Sequence, residues 1–424
     1  MRKIIIFLKL ILRSKFIFKT PKKCDLIVFD EVSIYDLNIC LSKFNFFVLQ
    51  TRLESSAYIL GSKAAPIYKI YFSYKIFKKF LKNYFKGNLF TVYLISLIEL
   101  INPKVVLTTI DVSFKFSEIA KILDKKTNFI AIQNALTHDF LNWDYLYKTR
   151  KIKQNLIKKL YIPNLFCMGD YDREMWEKLN IKVKNFFPIG NLRLANFFHH
   201  IKSENSSPEK YNCDICLVAE MFFPTSKNIF EVGTLASKFN EDRRTEEEGF
   251  VKLIKYTIKF CLKHNMKLII PLKRDKKHLP GFYNLEIEYY DRNFEKEELE
   301  YIKSNILEKD RENFSSYRVL LNSKVVVSTK STLLRNKLTI GGKILSCNLS
   351  KKDRYNFPVN GICTLNNCFY EEFEERLLEI YSISEEDYFS KIDKKPDYRE
   401  KFNKNYSAID LIREKLIQLG VNKN

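Results

Sequence analysis

The chain has 424 residues, enough for two domains of ordinary size, each with its own core. Its 46% hydrophobic and 29% charged residues, with only 11 glycines and 11 prolines, exclude collagen-like and disordered classes. The formal charge of +22 points to a polyanionic partner (nucleic acid, anionic lipid or a phosphorylated substrate), although the abundance of Lys, Ile, Asn, Phe and Tyr also reflects the bias of an AT-rich genome.

The first run, MRKIIIFLKLILRSKFIFK, is basic and apolar, but charges interrupt it and no small-residue cleavage site follows, so it is not read as a signal peptide. Residues 1–24 hold no acid. An interfacial helix on an anionic leaflet and a first element packed on the core both fit. No segment reaches the roughly 18–20 consecutive apolar residues that span a bilayer.

Apolar runs then alternate with helical patterns. CDLIVFD (24–30), NFFVLQT (45–51), KVVLTTID (104–111), NFIAIQN (128–134) and NLFCMGD (164–170) predict strands; SFKFSEIAKILDKK (113–126) and DREMWEKLNI (172–181) predict helices. Between them IYKIYFSYKIFKKFLKNYFKG (67–87) interleaves six lysines with aromatics and no acid. It reads as an amphipathic core helix, or as a basic aromatic helix against a membrane or a bulky anionic acceptor; no recognised nucleic-acid module accompanies it.

The polar stretch HHIKSENSSPEKYN (199–212) predicts an interdomain linker. Strands are expected again at CDICLVAE (213–220), MKLIIPLK (266–273), LEIEYYD (285–291), YRVLLNSKVVVST (317–329) and GKILSCNL (342–349). EEEGFVKLIKYTIKFCLKHN (246–265) predicts a helix, SKFNEDRRTEEE (237–248) a charged loop, and YSAIDLIREKLIQLG (406–420) an amphipathic terminal helix. Such alternation predicts an α/β chain of two doubly wound, Rossmann-like domains facing across a cleft: 1–198, linker 199–212, 213–400, and a C-terminal helix in 401–424.

The nine scattered cysteines suggest a reducing compartment, and Cys213 and Cys216 of CDIC read as buried strand positions rather than a metal or redox pair. Ligands of open parallel sheets bind outside the carboxyl ends of the strands, so the strand ends are where chemistry is expected. VVVSTKSTLL offers Lys330, with Ser331 or Thr332 capping a helix whose free amides could seat an anion. IIPLKRDK ends in Lys273 and Arg274, a pair suited to a phosphate or, as readily, a solvated charge run. TTID ends in Asp111, and IQNALTHDF offers Gln133, Asn134 and His138. A carboxylate and an imidazole there could serve as base or nucleophile and as acid, or Asp111 could merely cap the next helix. PIGNLRL places Gly190 in a turn and Arg193 near the cleft. Asp170 and Asp172 of GDYDRE fit helix capping better than a divalent ion, so no metal and no cofactor are expected.

The order of these motifs, from KVVLTTIDVSFKFSEIAKIL through FIAIQNALTHDF, FCMGDYDREMWEKLNIKVKNFFPIGNLRLANFF and RVLLNSKVVVSTKSTLLRNKL to NGICTLNNCFYEEFEERLLEIY, resembles bacterial surface carbohydrate biosynthesis proteins over about residues 25–400. These are cytoplasmic glycosyltransferase-like proteins of the two-Rossmann-domain (GT-B) class, and the wider class includes metal-independent CMP-sugar transferases. The resemblance implies a nucleotide-sugar donor, a glycan or lipid-linked acceptor, and a cytoplasmic location peripheral to the membrane; nucleic acid is not an expected partner. It implies that Ser331 and Thr332 hold the donor phosphate, that Lys273, Arg274 and Lys330 flank it, that Asn336 lies near the ribose, and that Asp111 faces the sugar. The pattern departs from the family at Lys330, Leu334 and Asn336, and at Ala135 where a glycine is usual. A polyol-phosphate transferase using a CDP or CMP leaving group and a non-catalytic binding component remain alternatives.

Overall fold

In the computed structural model, residues 14–51, 68–135, 159–202, 211–218, 240–277, 280–403 and 406–423 are described. The central strand runs LIVF, VVLT and NFIAI of one sheet and VVVS of the other are short and almost wholly apolar, as expected when helices cover both faces of a parallel sheet. The strands are β1 Ser14–Ile17, β2 Leu26–Phe29, β3 Phe46–Leu49, β4 Tyr68–Tyr71, β5 Val105–Thr108, β6 Asn128–Ile132, β7 Tyr161–Cys167, β8 Lys182–Pro188, β9 Cys213–Leu217, β10 Leu268–Pro271, β11 Ile306–Leu307, β12 Ser323–Ser328, β13 Lys343–Asn348 and β14 Thr364–Asn366. The helices used below are α1 Ser33–Leu41, α2 Tyr74–Asn83, α3 Leu89–Ile101, α4 Phe114–Leu123, α5 Asp170–Lys178, α6 Leu192–Lys202, α7 Asn240–Lys263, α8 Pro280–Asn293, α9 Ser315–Asn322, α10 Thr332–Thr339 and α11 Ala408–Gln418.

The chain divides into two units. Unit 1 comprises Met1–Asn196 and Lys401–Asn424, and unit 2 comprises Phe197–Glu400. Unit 1 carries a six-stranded sheet in the order β3-β2-β5-β6-β7-β8 and unit 2 one in the order β11-β10-β9-β12-β13-β14. Every pairing within them is parallel. In unit 1 successive residues of β2 point to opposite faces: Ile27 and Phe29 join one apolar cluster with α3 and α4, Leu26 and Val28 another with α1 and α11. In each sheet the first strand is joined on one side by the next strand and on the other by a later one. Each sheet therefore has a topological switch point, between β2 and β5 in unit 1 and between β9 and β12 in unit 2.

Four expected elements differ. LEIEYYD lies inside α8, because Glu286, Tyr289 and Tyr290 are the buried positions, a helical spacing that a carboxylate on the inner face disguises. YRVLLNSKVVVST divides into α9 and β12, the break falling between Asn322 and Ser323. Residues 240–248 of the expected charged loop belong to α7, where Glu and Arg propagate the helix readily and Glu247 accepts a hydrogen bond from Asn293 at 3.3 Å. Residues 199–202 of the expected linker complete α6. The C-terminal helix α11 belongs to unit 1: its Arg413 donates to the carbonyls of Cys40 (3.0 Å) and Ile39 (2.6 Å) at the end of α1. Among the described residues no helix is long and apolar enough to cross a membrane.

Candidate functional site

In unit 2 the carboxyl edge carries the anion-binding candidates. β12 ends at Ser328, whose hydroxyl donates to the Val218 carbonyl (3.2 Å) at the end of β9 and so ties the two strands of the switch point together. Thr329 and Lys330 follow, and Ser331 is the N-cap of α10: extended at φ −136°, its Oγ accepts from the Leu333 amide at 3.3 Å. In that role its O–H remains a donor, and half-buried Thr332 opens the first turn.

On the other side of β9, the turn after β10 is held rigidly. Glu286 of α8 accepts the backbone amides of Lys273 and Arg274, each at 2.8 Å, one on each carboxylate oxygen. Burial pushes this carboxyl up from the ordinary range, against the pull of the two amides and the neighbouring cations. Those amides face inward, so an anion at this edge would meet the exposed Lys273 side chain and the half-buried Arg274 rather than a nest of N–H groups. The buried Asp275 accepts the Lys277 amide at 2.8 Å and fixes the rest of the turn.

Asn336, expected near a ribose, is placed elsewhere. It is fully buried, and its amide nitrogen donates to both oxygens of buried Glu400, at 2.9 and 2.8 Å. Next to it Arg335, also fully buried, donates from Nε to the Tyr398 carbonyl at 2.6 Å and lies 4.6 Å from that ring's centroid. Both side chains clamp the 398–400 segment to the inner face of α10, because that face must bury polar groups in pairs or not at all.

In unit 1 the switch point is lined by carboxylates and hydroxyls. Asp111 is buried in the turn after β5. The next helix is capped by Ser113, whose Oγ accepts from Phe116 at 3.2 Å, so capping does not account for Asp111. Beside it the Thr109 amide and hydroxyl both donate to Ser33 Oγ at 3.0 Å, joining β5 to the start of α1. Asp30, which the sequence reading passed over, closes β2 on the same edge. It is buried with φ +100°, accepts the Val32 amide (3.0 Å) and Thr51 Oγ1 (3.1 Å), and so holds a conformation costing about 1–3 kcal/mol for a residue with a side chain. Its signal was present: an acid directly ending an apolar run, as in TTID.

The four residues expected to line the cleft have the following partners within unit 1. Buried Gln133 donates from Nε2 to Asp172 at 2.8 Å and to the Ala135 carbonyl at 3.0 Å. Asn134 donates to Asp36 Oδ2. Arg193 grips the same carboxylate with two prongs, Nε at 2.9 Å and Nη2 at 3.1 Å. Gly190 has φ +91°, and a Cβ there would lie 2.1 Å from the Lys401 carbonyl oxygen, so its role is the close passage of the returning chain. His138 lies outside the described residues. Burial raises the thiols of Cys213, to about 12, and of Cys216, as expected for inert strand positions rather than reactive thiolates.

Two doubly wound, Rossmann-like units in one chain define the GT-B-like class. No protein-family model matches the chain, and no curated protein matches it by sequence. Among solved structures it is similar to the UDP-GlcNAc 2-epimerase of Neisseria meningitidis bound to UDP-GlcNAc, at 13% identity over 93% of this chain and 99% of that one, TM-score 0.46. It is also similar to a putative UDP-N-acetylglucosamine 2-epimerase of Listeria monocytogenes (11% identity, 92% of this chain, 95% of that one, TM-score 0.49). The wall teichoic acid polymerase TagF gives 9% identity over 94% of this chain and 89% of that one, with TM-score 0.45.

Proposed function

We propose that the chain is a glycosyltransferase-like protein of bacterial surface polysaccharide biosynthesis that takes a nucleotide-activated, CMP-linked sugar as donor and a glycan or lipid-linked acceptor. The observation that carries this reading is the chemistry of unit 2's switch point. The capping Ser331, Thr332 and Lys330 stand at the start of α10, and Lys273 and Arg274 follow β10 on the same edge, which suits a phosphate group. The carboxylate-lined switch point of unit 1 suits the complementary task. Asp111 takes the proton of an acceptor hydroxyl, whose oxygen bonds to the anomeric carbon, or attacks that carbon itself to form an ester that the acceptor hydroxyl then displaces. The bond from that carbon to the phosphate oxygen breaks, and CMP leaves with the electron pair while donors at the helix start stabilise its charge.

The test is a nucleotide panel, CMP, CDP, UDP and GDP, read as thermal stabilisation of the purified protein. CMP or CDP raises the melting temperature, and combined Ser331→Ala and Thr332→Ala abolishes the shift. A shift that survives both substitutions removes the assignment of the phosphate seat, and stabilisation by UDP or GDP alone overturns the donor class. Asp111→Ala is expected to keep nucleotide binding and lose transfer; undiminished transfer in that variant rules Asp111 out of the chemistry.

A further inference from the structure

Residues 68–87 of the basic aromatic stretch have no part in either six-stranded sheet. They fold as β4, paired in parallel with β1 in a two-stranded sheet, followed by α2 and a short 3-10 turn, Tyr84–Lys86. Ser73 caps α2, accepting from Ile76 at 3.3 Å, and its hydroxyl lies 3.0 Å from that of Thr20. One face of α2 is anchored. Ile76 is buried, and buried Asn83 donates to Glu99 (3.1 Å) and Ser96 (3.4 Å) of α3. Lys79 pairs with the same Glu99 at 3.2 Å.

That anchoring turns an unusual face outward. Tyr74, Phe77, Leu81 and Phe85 are 78%, 47%, 55% and 96% exposed. At about 100° per residue Tyr74, Phe77 and Leu81 fall on one stripe of α2, Phe85 follows in the 3-10 turn after it, and Lys75, Lys78 and Lys82, all exposed, fall on the flank beside the stripe. No residue of α2 is acidic, and among the described residues no carboxylate pairs with those three lysines. Exposed Phe18 and Phe72, 6.3 Å apart edge to face, continue the apolar surface from the neighbouring two-stranded sheet. Exposed side chains of this size gathered in one patch mark an interaction surface.

We propose that this face docks on an anionic lipid bilayer, α2 lying in the plane of the headgroups with its aromatic stripe inserted and its lysines on the lipid phosphates. The charge selects an anionic partner. The apolar stripe selects a bilayer over a nucleic acid: Leu81 offers no stacking plane, and Tyr84 and Phe85 meet edge to face at 83° rather than presenting parallel rings to bases.

The experiment is co-sedimentation of the full chain with vesicles of phosphatidylcholine alone and of phosphatidylcholine with phosphatidylglycerol, at low and physiological salt. Binding is expected to the anionic vesicles only and to weaken with salt. Each lysine contributes roughly fivefold, so combined Lys75→Gln, Lys78→Gln and Lys82→Gln lowers partitioning on the order of a hundredfold. Phe77→Ser with Leu81→Ser and Phe85→Ser removes the binding that survives high salt. All six positions are exposed, and an unchanged melting temperature certifies the fold of each variant. Absence of binding to anionic vesicles overturns the proposal. So does binding that neither variant weakens, or a loss seen with RNA or an acidic protein but not with vesicles.

Discussion

Gly190→Ala separates a ligand-lining role from a packing role. The left-handed φ of +91° costs an alanine about 1–2 kcal/mol. The added Cβ would sit 2.1 Å from the Lys401 carbonyl oxygen, far inside van der Waals contact, so the 401 segment must move. Such overpacking costs about 1–3 kcal/mol. Moving it also loosens the 2.8 Å bond from the Lys401 amide to the Met168 carbonyl, worth about 1 kcal/mol. The sum is about 3–6 kcal/mol. At about 2–4 °C per kcal/mol for a unit of this size, the melting temperature of unit 1 falls by about 6–24 °C. Thermal unfolding followed by circular dichroism measures it, with nucleotide stabilisation measured on the folded fraction. An alanine variant that melts like the wild type but has altered ligand binding would refute the packing argument.

Asn336→Asp puts a second carboxylate against Glu400 in a buried pocket. It is expected to destabilise unit 2 by about 3–5 kcal/mol at pH 7, to recover as acid protonates the pair, and to be rescued by Glu400→Gln in a double-mutant cycle followed by urea unfolding; the absence of rescue would break the pairing argument. Lys337 is buried beneath α9, donating to the carbonyls of Leu320 and Ser323 at 2.8 Å, and burial lowers its pKa from 10.5 to about 8. Between those values the unfolded chain holds the proton that the folded chain has released, so this residue's contribution to stability rises with pH. Relative to Lys337→Met, the wild type should gain about 1.5 kcal/mol from pH 8 to 9.5, and parallel pH profiles would contradict the assignment.

The architecture was legible because parallel strands buried on both faces read as apolar runs: LIVF, VVLT and VVVS each end within a residue or two of where the pattern stops. Failures came where a polar residue serves the core. Glu286 hid the helical period of α8, and its reason for being inside, the two amides of the turn after β10, lies 12 and 13 residues away. The same holds for the candidate site. Strand ends could be named from the sequence, but which polar side chains are committed could not. Arg193 is taken by Asp36, 157 positions earlier, and Asn336 by Glu400, 64 positions later. Local pattern carries no information about partners at that separation, and polar side chains of identical type therefore divide between edge and interior only in the folded chain.

That division bears on the residues of α10 beneath the capped helix start. Leu334 and Asn336, with Arg335 between them, are fully buried, and the two polar members answer to Glu400 and Tyr398. A buried Asn facing a buried Glu is a satisfied pair, whereas an acid at 336 facing Glu400 would be two like charges in a low-dielectric pocket. The inner face of this helix is thus a consistent set of paired polar groups. The helix start is a separate matter: Ser331 retains its capping geometry whatever packs beneath the second turn. Substitutions on the inner face are therefore no argument for a non-catalytic component, and the choice between transferase and binding protein rests on Ser331, Thr332 and Asp111.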